Sequence, residues 1–366
     1  MIIGIPKEIK DGERRVALQP EAVASLVTDG HTLCVQTNAG AGSGWPDSAY
    51  ANAGATIVRT ATEAYNVDLV VKVKEIQADE VQLVRPDSML FCFLLLHRDA
   101  AVAAELIERR VSAIAFEAVT DANGHHPVLA PMSRIAGQLA MPIAANLLLA
   151  HQGGRGLLIS DARVVVLGAG SSGCAAAILA QQMGATVTVI SRPGPRSAAL
   201  QKLLGPTAAV MAMSDETIKV ALAGADVVIG AINSQVGSHQ KLLSRANVAS
   251  MGAGSVLIDI GIDRGGISDT CRESCHSAPT YVAEGVTHYC VANMPALVPR
   301  SASQAISNAV LPFVATLTGL GFANALRQDT GLFNGLHLFG GQICNAAIAR
   351  QLGRACFDVE ARLFTC

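Results

Sequence analysis

The sequence predicts an α/β protein built from two doubly wound, Rossmann-like parallel sheets, and three observations carry that prediction. Apolar, β-branched runs alternate with helical stretches along almost the whole chain, the pattern of βαβ units. A glycine-rich turn, Gly168-Ala169-Gly170-Ser171-Ser172-Gly173, lies between one such run and an alanine-rich helix. Of the 366 residues, 51% are hydrophobic and only 15% charged, with a mean hydropathy of +0.38. Strands buried on both faces demand continuous Val/Ile/Leu runs of that kind, whereas half-exposed strands alternate.

Taken in order, Met1–Ile5 reads as a short strand and Lys7–Arg15 as a charged turn. Ala22–Asp29 is helical, Thr32–Thr37 is a strand, and Val67–Val73 is a strand leading into Lys72-Val73-Lys74-Glu75. Met89–Leu96 reads as a buried strand, Ala100–Arg110 as a helix and Ser112–Glu117 as a strand. Pro131 opens a long helix that the cluster Gly153-Gly154-Arg155-Gly156 closes. A second βαβ series then runs through Arg163–Leu167, Thr186–Ile190, Asp226–Ile229, Val256–Ile260 and Thr287–Val291. The remainder, from Ser301, reads as helical.

Composition excludes several classes. Met89–Leu96 is far short of the roughly 20 residues of a spanning helix, the longer stretches Ile135–Ala150 and Val164–Ala180 are broken by polar residues, glycines or Pro142, and the start, MIIGIPKEIK, lacks the pattern of a signal peptide. The expectation is a cytoplasmic protein with no membrane partner. A net charge of −2 argues against a nucleic-acid partner, which needs a basic face. The nine cysteines are scattered without a CxxC pair, so they read as reduced thiols. Cys271, Cys275, His276, His288 and Cys290 match no standard zinc spacing, and no metal is expected. His125-His126 falls in a solvated turn.

The glycine turn is the strongest motif because a strand precedes it, a helix follows, and a second strand closes the unit. Gly168 permits the tight turn, Gly170 lets the backbone approach a pyrophosphate, and Gly173 allows close helix–strand packing. The pyrophosphate would sit at the helix N-terminus, on the main chain of Ser171 and Ser172, where the dipole favours an anion. An NAD-type site carries an acid at the end of the second strand. Here that place reads Val189-Ile190-Ser191-Arg192-Pro193. Ser191 can donate to a 2′-phosphate, and Arg192, with Arg196, can pair with one. The cofactor expected is NADP, with NAD the other possibility if Arg192 instead stacks on adenine.

Beyond these patterns, Ile3-Gly4-Ile5-Pro6-Lys7-Glu8 and Glu13-Arg14-Arg15-Val16-Ala17 resemble the start of the alanine dehydrogenase/transhydrogenase α-subunit family. So do Gly40–Gly44, Val71–Glu75, Pro131–Ser133, Asp259–Gly266 and Val291–Pro295, in the family's order. The resemblance implies a discontinuous substrate domain, 1–127 with 302–366, and an inserted dinucleotide-binding domain, 128–301, with the active site in the cleft. It implies that Arg15 grips the substrate carboxylate, that Lys74 contacts substrate and shares in acid–base steps, and that Asp263 lies near the nicotinamide and the amine. Ser133, Asn293 and Met294 match positions near the nicotinamide ring and phosphates. A homo-oligomer, dimer or hexamer, is also implied.

One match fails. The family's catalytic histidine follows the equivalent of Lys74 at a spacing that here falls on Leu95. The nearest histidine is His97. Either a bulge brings His97 into the site, residues 95 and 97 sharing a strand face, or Leu95 replaces the histidine and lines a more apolar pocket. The intact spacing before the strand favours the second. The leading reading is an NADP(H)-linked oxidoreductase that interconverts an amino acid with its 2-oxo acid and ammonia. Reduction of a preformed imine and a non-catalytic, cofactor-binding regulatory role are the alternatives.

Overall fold

The computed structural model describes residues 1–232 and 241–364. Cys366, one of the nine cysteines, lies outside them. The chain forms two compact units, one made of Met1–Met132 with the chain from Ala296 onward, the other of Ser133–Pro295.

In the first unit β1 (Ile2–Ile5), β2 (Thr32–Gln36), β3 (Thr56–Val58), β4 (Leu69–Val71), β5 (Met89–Cys92) and β6 (Ser112–Ala115) run parallel. The second unit holds β7 (Arg163–Leu167), β8 (Thr186–Ser191), β9 (Ala209–Ala212), β10 (Val227–Gly230), β11 (Val256–Asp259), β12 (Thr280–Ala283) and β13 (Val286–Tyr289). Their order is β12-β13-β11-β10-β7-β8-β9, all parallel except the edge strand β12. A hairpin, β14 (Leu336–Phe339) and β15 (Gln342–Ile343), completes the first sheet, giving β15-β14-β6-β5-β4-β1-β2-β3. The fold is thus two Rossmann-like units, each a predominantly parallel sheet with flanking helices and antiparallel strands at one edge.

Two expectations need correction. The chain beyond Ser301 is not wholly helical: after the helix Pro299–Leu320 comes the β14–β15 hairpin, antiparallel to β6. Its turn is Gly340-Gly341, both at positive φ, the chemistry a tight hairpin needs. The strand read over Met89–Leu96 also stops at Cys92. Leu95 takes a left-handed conformation, φ 40° and ψ 39°, and Leu96–Arg98 form a 3₁₀ turn. Residues 95 and 97 therefore do not share a strand face, and the face argument for His97 falls.

The second unit shows why the chain is so rich in alanine and branched residues. Val164, Val166, Val187, Val189, Ile229 and Ile258 point to one side of its sheet, against Ala140, Ala144, Ala176, Ala177 and Ala180 of the covering helices. The alternate residues Val165, Leu167, Ile190, Val228 and Leu257 pack on the other side with Leu222, Val248 and Ile267. Both faces are buried, so period-2 alternation of polarity disappears and small helix residues let the layers approach. In each unit the strand order reverses beside the first strand, at β1/β4 and at β7/β10. Crevices at such switch points, outside the carboxyl ends of the strands, are where ligands bind.

Candidate functional site

At the carboxyl ends of β1, β4, β5 and β6 the first unit gathers charges that are almost all buried. Arg15 is 2% exposed and Glu13 7%. Glu13 forks onto Arg15, accepting from Nε at 2.7 Å and from Nη2 at 2.5 Å. Nη1 of Arg15 donates to the Met132 thioether at 3.3 Å. The sequence pointed to Arg15 and overlooked Glu13, which fixes the plane of the guanidinium and balances its charge.

Lys74 is buried, and its Nζ lies 3.1 Å from Glu75. Burial lowers the Lys74 pKa; Glu75 opposes that shift, while the cations Lys10 and Arg15 add to it. Glu75 in turn pairs with Lys10 as well. Burial disfavours its carboxylate, yet the two lysines win and hold its pKa at about 2. The main chain under Lys74 is fixed from the loop after β1: Glu8 Oε1 accepts from the N–H of Val73 at 2.6 Å and of Lys74 at 3.2 Å. The other Glu8 oxygen faces Lys72 Nζ at 3.3 Å, and Lys72 donates to Glu80 at 2.7 Å. Lys72, Glu8 and Glu80 are 1%, 7% and 2% exposed.

Leu95 is half-buried, and its left-handed turn aims main-chain donors rather than a side chain. The N–H groups of Leu94 and Leu95 both reach the Glu117 carboxylate, at 3.1 Å and 3.0 Å. Glu117 was not expected from the sequence. Burial raises its pKa against these main-chain bonds and the attraction of Lys74. His97 sits in the 3₁₀ turn and acts on His337, a buried residue of β14. Burial, and secondarily His97, pushes His337 down to about 4.

The second unit places the glycine turn between β7 and the helix Ser171–Gln182, which opens at Gly170 with no side-chain cap. Gly168 has φ 109°, and a Cβ there would lie 2.5 Å from the Ala231 carbonyl. A Cβ on Gly173 would lie 2.0 Å from the Gly168 carbonyl, while one on Gly170 would meet nothing within 4 Å. The open side at Gly170 and the uncapped helix end, with Ser171 exposed and Ser172 half-buried, fit a dinucleotide pyrophosphate. The helix Leu129–Leu147 closes in beside them: a Cβ on Gly137 would lie 2.1 Å from the Ser172 carbonyl. Ser133, half-buried, is one turn earlier on that helix. Replacing Gly173 with alanine is expected to cost about 1–3 kcal/mol through overpacking. A fall in thermal midpoint together with weaker dinucleotide binding checks this; an unchanged midpoint contradicts it.

At the end of β8, Ser191 is buried and Arg192 and Arg196 are exposed. Arg196 lies in the first turn of the helix Pro195–Leu204 that follows β8. Asp263 is exposed in a 3₁₀ turn, Ile262–Arg264. That loop is held by buried Asp259, which accepts from the N–H of Gly261 at 3.1 Å and of Ile267 at 2.8 Å. Burial lifts Asp259 to about 6. Asn293 is half-buried with φ 69°, and Met294 is sunk in the apolar core. The cysteine and histidine residues around 271–290 do not converge as one ligand set. Cys271 and Cys290 contact each other, His288 bonds Thr270 at 2.7 Å, and Cys275 is exposed beside Ser277.

Two family models match the chain: Alanine dehydrogenase/PNT, N-terminal domain, over residues 4–136, and Alanine dehydrogenase/PNT, C-terminal domain, over residues 140–346. An alanine dehydrogenase of Staphylococcus saprophyticus is 38% identical over 370 residues, covering 99% of this chain and all of its own. One from Geobacillus stearothermophilus is 38% identical over 371 residues, with coverage of 99% and 100%. A solved L-alanine dehydrogenase superposes with a TM-score of 0.92 at 37% identity, covering 96% of this chain and 99% of its own. A transhydrogenase from Sinorhizobium meliloti shares the fold, with a TM-score of 0.79 at 24% identity and coverage of 94% and 100%. No helix among the described residues is long and apolar enough to cross a membrane.

Proposed function

Since the chain belongs to the alanine dehydrogenase/PNT family, and so is an NAD(P)-dependent amino-acid dehydrogenase acting on CH–NH2 groups, we propose that it interconverts L-alanine or a close homologue with the 2-oxo acid and ammonia, using NADP(H). The amino-acid assignment is carried by one observation, the pairing of a buried, Glu13-braced Arg15 with a buried Lys74 at the switch point of the first sheet. A substrate carboxylate binds the Nη1 edge of Arg15, since a thioether such as Met132 is a weak acceptor that an anion displaces. Lys74, destabilised as a cation by burial, exchanges a proton with the reacting nitrogen or oxygen. Asp263 attracts the substrate ammonium. Gly168, Gly170, Gly173 and the main chain of Ser171 and Ser172 hold the dinucleotide, with Ser133, Asn293 and Met294 beside its nicotinamide half. The bound nucleotide supplies or accepts the hydride.

The absence of an acid at the end of β8, with exposed Arg192 following it, supports the NADP(H) preference. Ser191, being buried, contributes less than its position in the sequence promised, so Arg192 and Arg196 bear most of the 2′-phosphate contact. Neither imine reduction nor a non-catalytic role draws support from relatives named alanine dehydrogenase. Initial rates with pyruvate and ammonia test the reading. We expect kcat/KM for NADPH to exceed that for NADH about tenfold or more, the worth of one charge-assisted contact. Arg192→Glu is expected to reverse the ratio. A wild-type preference for NADH overturns the cofactor assignment.

A further inference from the structure

We propose that Ser43 and Ser303 are positioning residues for Arg15, a clasp across its two peptide units that aims the guanidinium at the substrate carboxylate. The inference rests on the reading of Arg15 given above. Arg15 belongs to no helix or strand, so regular structure does not fix it. Side chains do. Ser43 Oγ donates to the Arg14 carbonyl at 2.9 Å, and Ser303 Oγ accepts from the Val16 N–H at 2.9 Å. The two hydroxyls meet at 2.8 Å. With Ser303 donating to Ser43, one continuous run of hydrogen bonds leads from the Val16 N–H to the Arg14 carbonyl. Arg15 lies between its ends. Glu13 adds a third hold, accepting from the Arg15 N–H at 2.9 Å as well as from the guanidinium.

The clasp is built for this loop. Ser43 is 1% exposed and Ser303 0%, so neither hydroxyl can trade its partners for bulk water. A helical serine or threonine often bonds back to the carbonyl four residues earlier. Thr316 and Thr318 do so on the helix Pro299–Leu320. Ser303, on the same helix, instead reaches 287 residues back along the chain to Val16. Ser307, one turn on, likewise takes the N–H of Gln19 at 3.0 Å. Ser43 also reaches the first turn of that helix, donating to the Pro299 carbonyl at 3.2 Å. Its own turn is seated on the arginine loop, since a Cβ on Gly42 would lie 2.7 Å from Arg14 Cβ. Three segments remote in sequence thus converge on one arginine. Misplacing a substrate-binding group by about 1 Å can cost about 10²-fold in rate, so a clasp that acts only through Arg15 still governs turnover.

Ser303→Ala removes the link between the two hydroxyls. We expect KM for pyruvate and for L-alanine to rise about 10–100-fold, with kcat within about threefold and dinucleotide affinity unchanged. Ser43→Ala deletes the donor to Arg14 and should act alike; it serves where Ser303→Ala fails to fold, with thermal midpoint reporting folding. A double-mutant cycle with Arg15→Lys separates positioning from a structural role alone. Because the clasp acts through Arg15, either serine variant should raise KM less than about twofold further in the Arg15→Lys background. A full rise in that background, or a folded serine variant with wild-type KM, overturns the clasp and leaves the function standing. If Arg15→Lys itself leaves KM unchanged, or the wild type turns over no amino acid or 2-oxo acid, the reading of Arg15 falls and the clasp with it.

Discussion

Replacing Lys72 with methionine is expected to destabilise the protein by about 3–5 kcal/mol, the usual penalty for leaving a buried partner charge uncompensated. The side chain has no solvent exposure, and it neutralises two carboxylates, Glu8 and Glu80, whose side chains are each 3% exposed. Burial opposes the Lys72 charge, but Glu8, Tyr65 and Glu80 hold its pKa well above the ordinary value. Methionine matches the length of the aliphatic stem, so the loss is electrostatic rather than a cavity. The pH dependence identifies the cause. Burial already raises the Glu8 pKa against the attraction of Lys72; without Lys72 it rises further, so the variant's native state binds more protons and its stability increases as pH falls. The gap to the wild type should therefore be widest near neutrality and narrow below about pH 5. Urea unfolding midpoints at two pH values check this; a gap independent of pH contradicts it.

Replacing Lys74 with methionine, two residues away, is expected to leave stability nearly unchanged and to lower kcat/KM about 10²–10⁴-fold. Its structural obligation is slight, since Glu75 keeps Lys10 as a partner when Lys74 is removed. The chemical obligation is large, since burial has already weakened its hold on the proton. Arginine retains the charge but does not release a proton near neutrality, so Lys74→Arg should fail to restore the rate. Full activity in a folded Lys74→Arg variant would sink the acid–base role. One lysine thus serves the fold and its neighbour the reaction, a distinction set by which carboxylates surround each.

Those surroundings mark the boundary of what the sequence made legible. The glycine turn could be read directly, because strand, turn and helix are contiguous and each glycine answers a local steric demand. Arg15 and Lys74 were reached only through the resemblance, since an isolated lysine after a strand reads as a solvated end. Glu8, Glu13 and Glu117 were missed because a charged residue in a loop carries no sign of its partner. Glu117 meets Leu95 across 22 residues and Glu8 meets Val73 across 65, both through main-chain N–H groups that any residue would offer. The halt of β5 at Cys92 was likewise hidden, because Phe93-Leu94-Leu95-Leu96 continues the apolar run while the main chain turns toward Glu117. The β14–β15 hairpin did leave a signal, the Gly340-Gly341 pair between Leu336–Phe339 and Gln342–Ile343, but strands so short are easily taken for a helix.

That hairpin also sets a timetable for synthesis. The second unit is one uninterrupted stretch, and its last strand is complete at Tyr289. The first unit begins earlier yet finishes later, since β6 acquires its outer neighbour only when Leu336–Phe339 has been made. Until then Ser112–Ala115 presents unpaired main-chain groups flanked by apolar side chains, a template for pairing between nascent chains. The inserted unit therefore prolongs the exposure of its host. Truncation anywhere before Leu336 should turn a transient hazard on the ribosome into a lasting tendency to aggregate.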